Sequence, residues 1–306
     1  MKHPDPSWSQ SRVLWYWIDA RHEIYRARLR GEPPPWTDDS ILREYRFTNV
    51  FRRLDRVTQE ALVELHGAWS EADRLFRAVA FRVFNWPPTY RVLKTANLLC
   101  DWHEDRANRL LELRQGAGEK IVTGAWMVSG AAAPGRPIYE GYTKALSLLA
   151  PQVATMAAQI RRKRSTEFAY VMLQRLPGVG RFVGWQIVLD LMYTPMLSEA
   201  TDADSFLYVG PGAVRGLLRL DGVEIPKGDA GLAPKYPGGQ VAAIARIQKL
   251  QRESERRVWR HQVPRLTIHD IEHAVCESDK YARALRGEGR PRSRYSPDAR
   301  SLPRPI

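Results

Sequence analysis

The sequence predicts an all-α protein with two lobes, and three observations carry that expectation. Apolar residues recur at helical spacing along nearly all of the 306-residue chain. Breaks bearing Gly and Pro divide the pattern into runs of ordinary helix length. One stretch, IVTGAWMVSGAAAPGRP at 121–137, interrupts the rhythm with small and β-branched residues and is expected to be an irregular loop or short hairpin between the lobes. With 44% hydrophobic and 10% aromatic residues, the chain can bury a full core.

Residues 8–30 read as the first helix, closed by Gly31 and by Pro33, Pro34 and Pro35, whose rings cannot continue it. Asp38 and Asp39 offer caps for a second helix through SILREYRFTNVFRRLDRV, residues 40–57. Helical patterns follow at 59–84, 89–114, 139–162, 165–175, 181–193, 213–220, 238–258 and 268–285, the last opened by Thr267 as its N-cap. Gly and Pro make 221–239 a loop. From Arg286 onward the chain is basic and rich in Pro and Ser. Residues 1–285 are therefore expected to form the helical domain, and 286–306 a flexible arm that lies along phosphates or merely solubilises.

The charge balance narrows the partners. Lys and Arg number 47 against 34 Asp and Glu, a net charge of +13, which is the footprint of a protein that meets a polyanion. Nucleic acid is favoured over a membrane, because no apolar run approaches about 18 residues and no basic amphipathic helix stands apart. The opening MKHPDPSWSQ has no apolar signal region, so a soluble cytoplasmic protein is expected. Cys100 and Cys276 can form at most one disulfide and cannot by themselves ligate a four-cysteine iron–sulfur cluster. Neither a GxxxxGK[ST] loop nor a dinucleotide fingerprint occurs, which excludes P-loop kinase chemistry within these residues.

The sharpest local signal is LPGVGRFVGWQIVLDLMY, residues 176–193. One helix ends near Arg175 and another begins near Arg181, with Gly178 and Gly180 permitting the tight turn between them. This is the form of a helix-hairpin-helix DNA grip. The N–H groups of Gly178, Val179 and Gly180 are expected to stand free at a helix N-terminus, beside Arg181, where they can hold a phosphate. Such a grip reads backbone and not sequence.

Three further groups carry chemistry. Drawn as a helix at about 100° per residue, 46–57 gathers Arg46, Asn49, Arg52, Arg53 and Arg56 on one face and Phe47, Val50, Phe51, Leu54 and Val57 on another. A rigid polyphosphate or DNA-backbone surface is expected there, since the guanidinium fork matches pairs of phosphate oxygens. GPGAVRGL, 210–217, leads Gly210 and Gly212 into a helix carrying Arg215, either a second anion site or a packing turn. Asp202 and Asp204 precede it, and a carboxylate beside an anion site suits displacement of a phosphate-type leaving group. In the C-terminal helix His269, His273 and Cys276 follow one another at single-turn spacing. With neither HExxH nor CxxC present, no metal is expected. Glu272, Asp279 and Lys280 of that helix are expected either to pair and pack or to hold an amino-bearing substrate.

The hairpin resembles that of the helix-hairpin-helix DNA glycosylase superfamily, with departures. Phe182 stands where the lyase subset keeps a lysine nucleophile, and Asp202 and Asp204 fall a few residues later than that superfamily's essential aspartate. A longer set of strings is similar to the glycosylase-like helical enzymes of bacteriophage thymine hypermodification, the alpha-glutamyl/putrescinyl thymine pyrophosphorylases or amino acid:DNA transferases. They are WYWIDARHEIYRARLRGEPPPWTDDSILREYRFTNVFRRLDRVTQ, FRVFN, IVTGAWMVSG, LPGVGRFVGWQIVLDLMY, GPGAVRGL and CESDKYAR, which run in order to about Arg283. A related helical domain accompanies the kinase of 5-hydroxymethyluracil DNA kinases.

The resemblance implies an all-α, two-lobed glycosylase-like fold and a step on double-stranded phage DNA in the host cell cytoplasm. A 5-hydroxymethyluracil DNA kinase pyrophosphorylates the base. The transferase then displaces pyrophosphate with a free amino acid such as glycine, or with a polyamine, and leaves the glycosidic bond intact. No cofactor is required, and a divalent metal on the pyrophosphate has no support in the sequence. Against that reaction the arginine face and Arg215 are expected to receive the pyrophosphate, and Asp204 or Asp202 to take the amine's proton. Two other readings stand beside it: a 5-hydroxymethyluracil DNA glycosylase, and a non-catalytic DNA-binding partner of the kinase.

Overall fold

A computed structural model describes residues 4–123, 135–223, 225, 235–289, 291 and 293–295. Residues 124–134 of the expected inter-lobe stretch, most of the 224–234 loop and the arm beyond Tyr295 lie outside the described residues. In chain order the α-helices are α1 Gln10–Leu29, α2 Ser40–Glu44, α3 Arg56–Leu65, α4 Glu71–Phe84, α5 Pro87–Thr95, α6 Glu104–Gly116 and α7 Ile138–Leu149. They continue with α8 Val153–Lys163, α9 Thr166–Leu173, α10 Arg181–Met192, α11 Pro211–Leu220, α12 Gly239–Glu255 and α13 Ile268–Leu285. Among the described residues no strand forms beyond one isolated bridge, between Tyr45 and Arg294, so the fold is all-α. No described helix is long and apolar enough to cross a membrane.

The chain divides into two compact units, Met1–Arg56 with Leu207–Ile306, and Val57–Phe206. The 121–137 stretch thus falls inside the span of the second unit, and the borders lie at 56/57 and 206/207 instead.

In the first unit α13 is the central helix, against which α1, α2, α11 and α12 pack. Its start is fixed by a capping box, Thr267 accepting from the Asp270 N–H while Asp270 accepts from the Thr267 N–H. Ile271, Ala274, Val275, Tyr281 and Ala282 bury its inner face. Helix α1 answers with Val13, Leu14, Trp17 and Ile18, all fully buried at helical spacing. The Tyr16 and Tyr281 hydroxyls donate to Asp39 Oδ2 at 2.8 and 2.6 Å, and Asp39 Oδ1 caps α2. Burial and the Asp39 charge push both phenols up, so they stay protonated donors.

The glycines of GPGAVRGL have a packing cause. A Cβ on Gly216 would sit 2.6 Å from the Val275 carbonyl oxygen, and one on Gly212 would sit 2.5 Å from Cys276 Sγ. Only residues without a side chain let α11 lie this close to α13. Gly212→Ala is expected to destabilise the protein by about 1–3 kcal/mol through overpacking. Adding Cys276→Ala removes the obstructing atom and should recover most of that loss. Gly216→Ala meets backbone, so no side-chain substitution rescues it. Denaturant unfolding of the single and double variants checks both statements.

The expected helix over 40–57 does not form. Helix α2 ends at Glu44, residues 45–51 are extended or bent, Arg52–Leu54 make one 3₁₀ turn, and α3 begins at Arg56. Aromatic and β-branched side chains dominate Tyr45–Phe51, and Tyr45 and Phe47 point inward on either side of an exposed Arg46. Distant partners then take the backbone. The Arg46 N–H donates to the Ser293 carbonyl at 2.9 Å, and the Tyr295 N–H donates to Glu44 at 2.8 Å. The Thr48 N–H donates to Glu277 at 3.0 Å. The arginine face drawn on that helix therefore does not exist as a face. Part of the basic arm is likewise anchored, since Arg294 pairs with Glu44 at 2.7 Å and Tyr295 contacts the Trp36 ring.

In the second unit α4 is the hub, packed by α5, α7, α8 and α10. The expected 59–84 helix is broken before it, where Ser70 caps α4 by accepting from the Asp73 N–H. Similar breaks split 89–114, where Asn97 has a φ of 59°, and 139–162, at the turn containing Pro151. Arg82 of α4 and Asp190 of α10 form a two-pronged ion pair at 2.5 and 2.6 Å, 2% and 1% exposed. Thr58 and Asn85 accept two further guanidinium hydrogens.

Candidate functional site

The first unit gathers a buried polar cluster where α13 meets the 48–55 segment and the start of α11. Glu272 meets the start of α11 there. The Gly210 N–H, at the N-cap of α11, donates to Glu272 Oε1 at 3.1 Å. That single bond does not offset the lost hydration. Burial pushes the carboxyl up to about 7, against the pull of the Gly210 N–H and the Arg52 charge. Near neutral pH it exists in both forms and is poised to exchange a proton.

Asp55 joins the same network through Arg52. The Asn49 N–H donates to Asp55 Oδ1 at 2.7 Å, and Arg52 Nη1 stands 3.5 Å from Oδ2. Burial raises Asp55 to about 6, with Arg52 opposing. His273, 3.6 Å from Asp55, is driven down to about 3 by burial and so remains neutral. Cys276 follows one turn on, where burial pushes its thiol up and keeps it inert. Burial also works to raise Glu277, but Lys280 at 2.7 Å and the Thr48 N–H hold it below the usual carboxylate range. The Arg52 N–H donates to Asp270 at 3.2 Å and so ties the segment to α13.

The structure brings together Asn49, Arg52, Gly210, Gly212, Glu272 and Lys280 of the residues singled out from sequence. Arg46, Arg53 and Arg56 are exposed outside the cluster. The N–H of Gly210 is not free, because Glu272 accepts it. Arg215 and Arg219 pair through their Nε atoms with the two oxygens of fully buried Asp279, at 2.6 and 2.7 Å, an arrangement that joins α11 to α13. Two members of the cluster carried no local signal. They are Asp55 and Arg21 of α1, whose Nη2 donates to Asn49 Oδ1 at 2.6 Å.

The second unit holds the hairpin and the two aspartates. Helix α9 ends at Leu173, Gly178 turns the chain at a φ of 77°, and Gly180 caps α10. Arg181 and Phe182 are exposed at the tip. Of the three N–H groups expected to stand free, that of Val179 instead donates to Leu176 at 3.1 Å. Gly184 lets the two helices close, with Val179, Gln174 and Tyr170 in ordinary contact around it. Asp202 caps α9: it accepts from the Ser165 hydroxyl at 2.7 Å, the Thr166 N–H at 2.6 Å and the Glu167 N–H at 3.0 Å. Burial works to raise it, yet these bonds hold its carboxyl below the ordinary range. Asp204 is exposed. Among the described residues no group of three or more His, Cys, Asp and Glu is placed to hold a metal ion.

No solved structure matches the chain. A 5-hmdU DNA kinase of Bacillus phage SP10 is 29% identical over 238 residues, which cover 70% of this chain and 37% of that protein. The chain thus spans little more than a third of that relative's length. The family model described as 5-hmdU DNA kinase, helical domain, matches residues 9–290, nearly the whole chain, and to that family the chain belongs.

Proposed function

We propose that the chain is a phage DNA-modifying transferase that replaces pyrophosphate on 5-pyrophosphoryloxymethyluracil in DNA with an amine. The observation that carries this reading is Glu272: a desolvated carboxyl brought to about 7, beside the Gly210 N–H and the Arg52 charge. A proton acceptor near neutrality suits general-base chemistry. Family membership and the phage kinase relative support a 5-hydroxymethyluracil context.

In the reaction the amine nitrogen forms a bond to the 5-methylene carbon while the carbon–oxygen bond to pyrophosphate breaks. Glu272 takes the amine's proton, the pyrophosphate departs with the bonding pair, and the glycosidic bond is untouched. Glu272 replaces Asp202 and Asp204 as the proposed base, because both oxygens of Asp202 are committed to capping α9. Arg52 lies within electrostatic range of Glu272 and suits an amine that also bears a carboxylate.

The hairpin supplies the footing on DNA through backbone N–H groups and Arg181. Arg181→Glu is expected to weaken binding to any duplex and to lower the salt slope of log K by about 1 or more, since a phosphate contact is lost. Fluorescence anisotropy between low and moderate salt reads this directly.

DNA bearing the pyrophosphorylated base, incubated with amino acids and polyamines and digested to nucleosides, tests the reaction. A heavier nucleoside supports the transferase. Free base or an abasic site points to a glycosylase, and unchanged nucleosides to a DNA-binding partner of the kinase.

A further inference from the structure

Arg21 is 7% exposed, and its Nη1 is buried with no hydrogen-bond partner. Its one hydrogen bond is from Nη2 to Asn49 Oδ1. The carboxylates nearby are already matched, Asp55 with Arg52 at 3.5 Å and Glu277 with Lys280 at 2.7 Å. No carboxylate lies within ion-pair distance of Arg21 among the described residues, so Asp55 and Glu277 act on the guanidinium only at longer range and Nη1 keeps no acceptor. An unpartnered buried donor is costly, and an anionic ligand would supply the missing acceptor. A second orphan points the same way. The hydroxyl of Tyr295 is buried without a partner, and Tyr295 lies within electrostatic range of Arg21.

We infer that Arg21 is the anchor of an oxyanion subsite for a phosphoryl or pyrophosphoryl group, with its Nη1 donating to a phosphate oxygen and Arg52 as the adjoining charge. The inference rests on the proposed function for its biological occupant, the leaving group, but not for its chemistry. Asn49 fixes the guanidinium plane: its Oδ1 accepts from Arg21, and its Nδ2 donates to the Leu54 carbonyl at 2.6 Å. The subsite is thus oriented before any anion arrives. Its place one residue network away from Glu272, through Arg52, puts leaving-group stabilisation and proton acceptance on one scaffold in the first unit.

Calorimetric titration of the full chain with inorganic pyrophosphate, without DNA or amine, tests the subsite apart from the reaction. Wild type should bind, Arg21→Gln should bind at least about tenfold more weakly, and Arg46→Gln, at an exposed position, should bind as wild type. Arg21→Lys keeps the charge and should retain intermediate affinity, which guards against a folding defect in the glutamine variant. Equal binding by wild type and a folded Arg21→Gln overturns the proposal, as does the absence of any pyrophosphate binding by wild type. Arg21-dependent binding in a protein that forms no modified nucleoside would keep the subsite and reject the transferase.

Discussion

Glu272→Gln is expected to lower turnover by about 10²–10⁴-fold while leaving duplex binding unchanged. The amide keeps the shape and still accepts the Gly210 N–H, but it cannot take a proton from the amine. Wild-type activity should rise with pH through about 7, as the carboxyl ionises. The pH profile of residual activity in the variant should lose that inflection. Stability runs the other way. Burial raises the folded-state value above the ordinary 4.5, so the group's favourable contribution is complete below about 4.5 and is lost as pH rises through about 7. Glu272→Gln should remove that part of the decline, which urea unfolding between pH 5 and pH 8 can measure. An unaltered activity profile would reassign the base.

Asp190→Ala is expected to give the largest loss of stability among single substitutions in the second unit, about 3–5 kcal/mol. It strands the Arg82 guanidinium, 2% exposed, without its two-pronged partner. The joint replacement Arg82→Met with Asp190→Leu should cost much less, because no uncompensated charge remains. Since α10 carries both Asp190 and the tip of the hairpin, the alanine variant should also lose protection from hydrogen exchange through the hairpin. Equal stability of the two variants in denaturant would show that the pair is not what holds α10 to α4.

What local pattern could reveal was set by local causes. Helix α13 runs from Ile268 to Leu285 as its periodicity and the Thr267 cap predict. The helix–turn–helix over 166–192 also follows from its own residues, with Gly178 in the left-handed region and Gly180 as the cap. The 45–55 segment shows the opposite case. Phe47, Val50, Phe51 and Leu54 fit a helical stripe on paper, yet the backbone N–H groups of Arg46, Thr48 and Arg52 find acceptors more than two hundred residues away, on Ser293, Glu277 and Asp270. No window of sequence contains those partners.

The same distance hid the site's chemistry. Glu272 stood out from sequence only as a possible contact to an amine, because its bond with the Gly210 N–H is a tertiary fact. Arg21 sits in an α1 whose apolar spacing gives it no prominence, and only the fold shows it buried and lacking an acceptor. Asp202 drew attention by its place before GPGAVRGL, and its function in the structure is to cap α9.

The most direct test of the central claim is a product balance on DNA containing 5-pyrophosphoryloxymethyluracil and isotopically labelled amine. The account predicts one pyrophosphate released for each labelled nitrogen joined to the base, with every modified nucleoside keeping its sugar. Pyrophosphate released without label in the DNA, or label-free abasic sites, would contradict it.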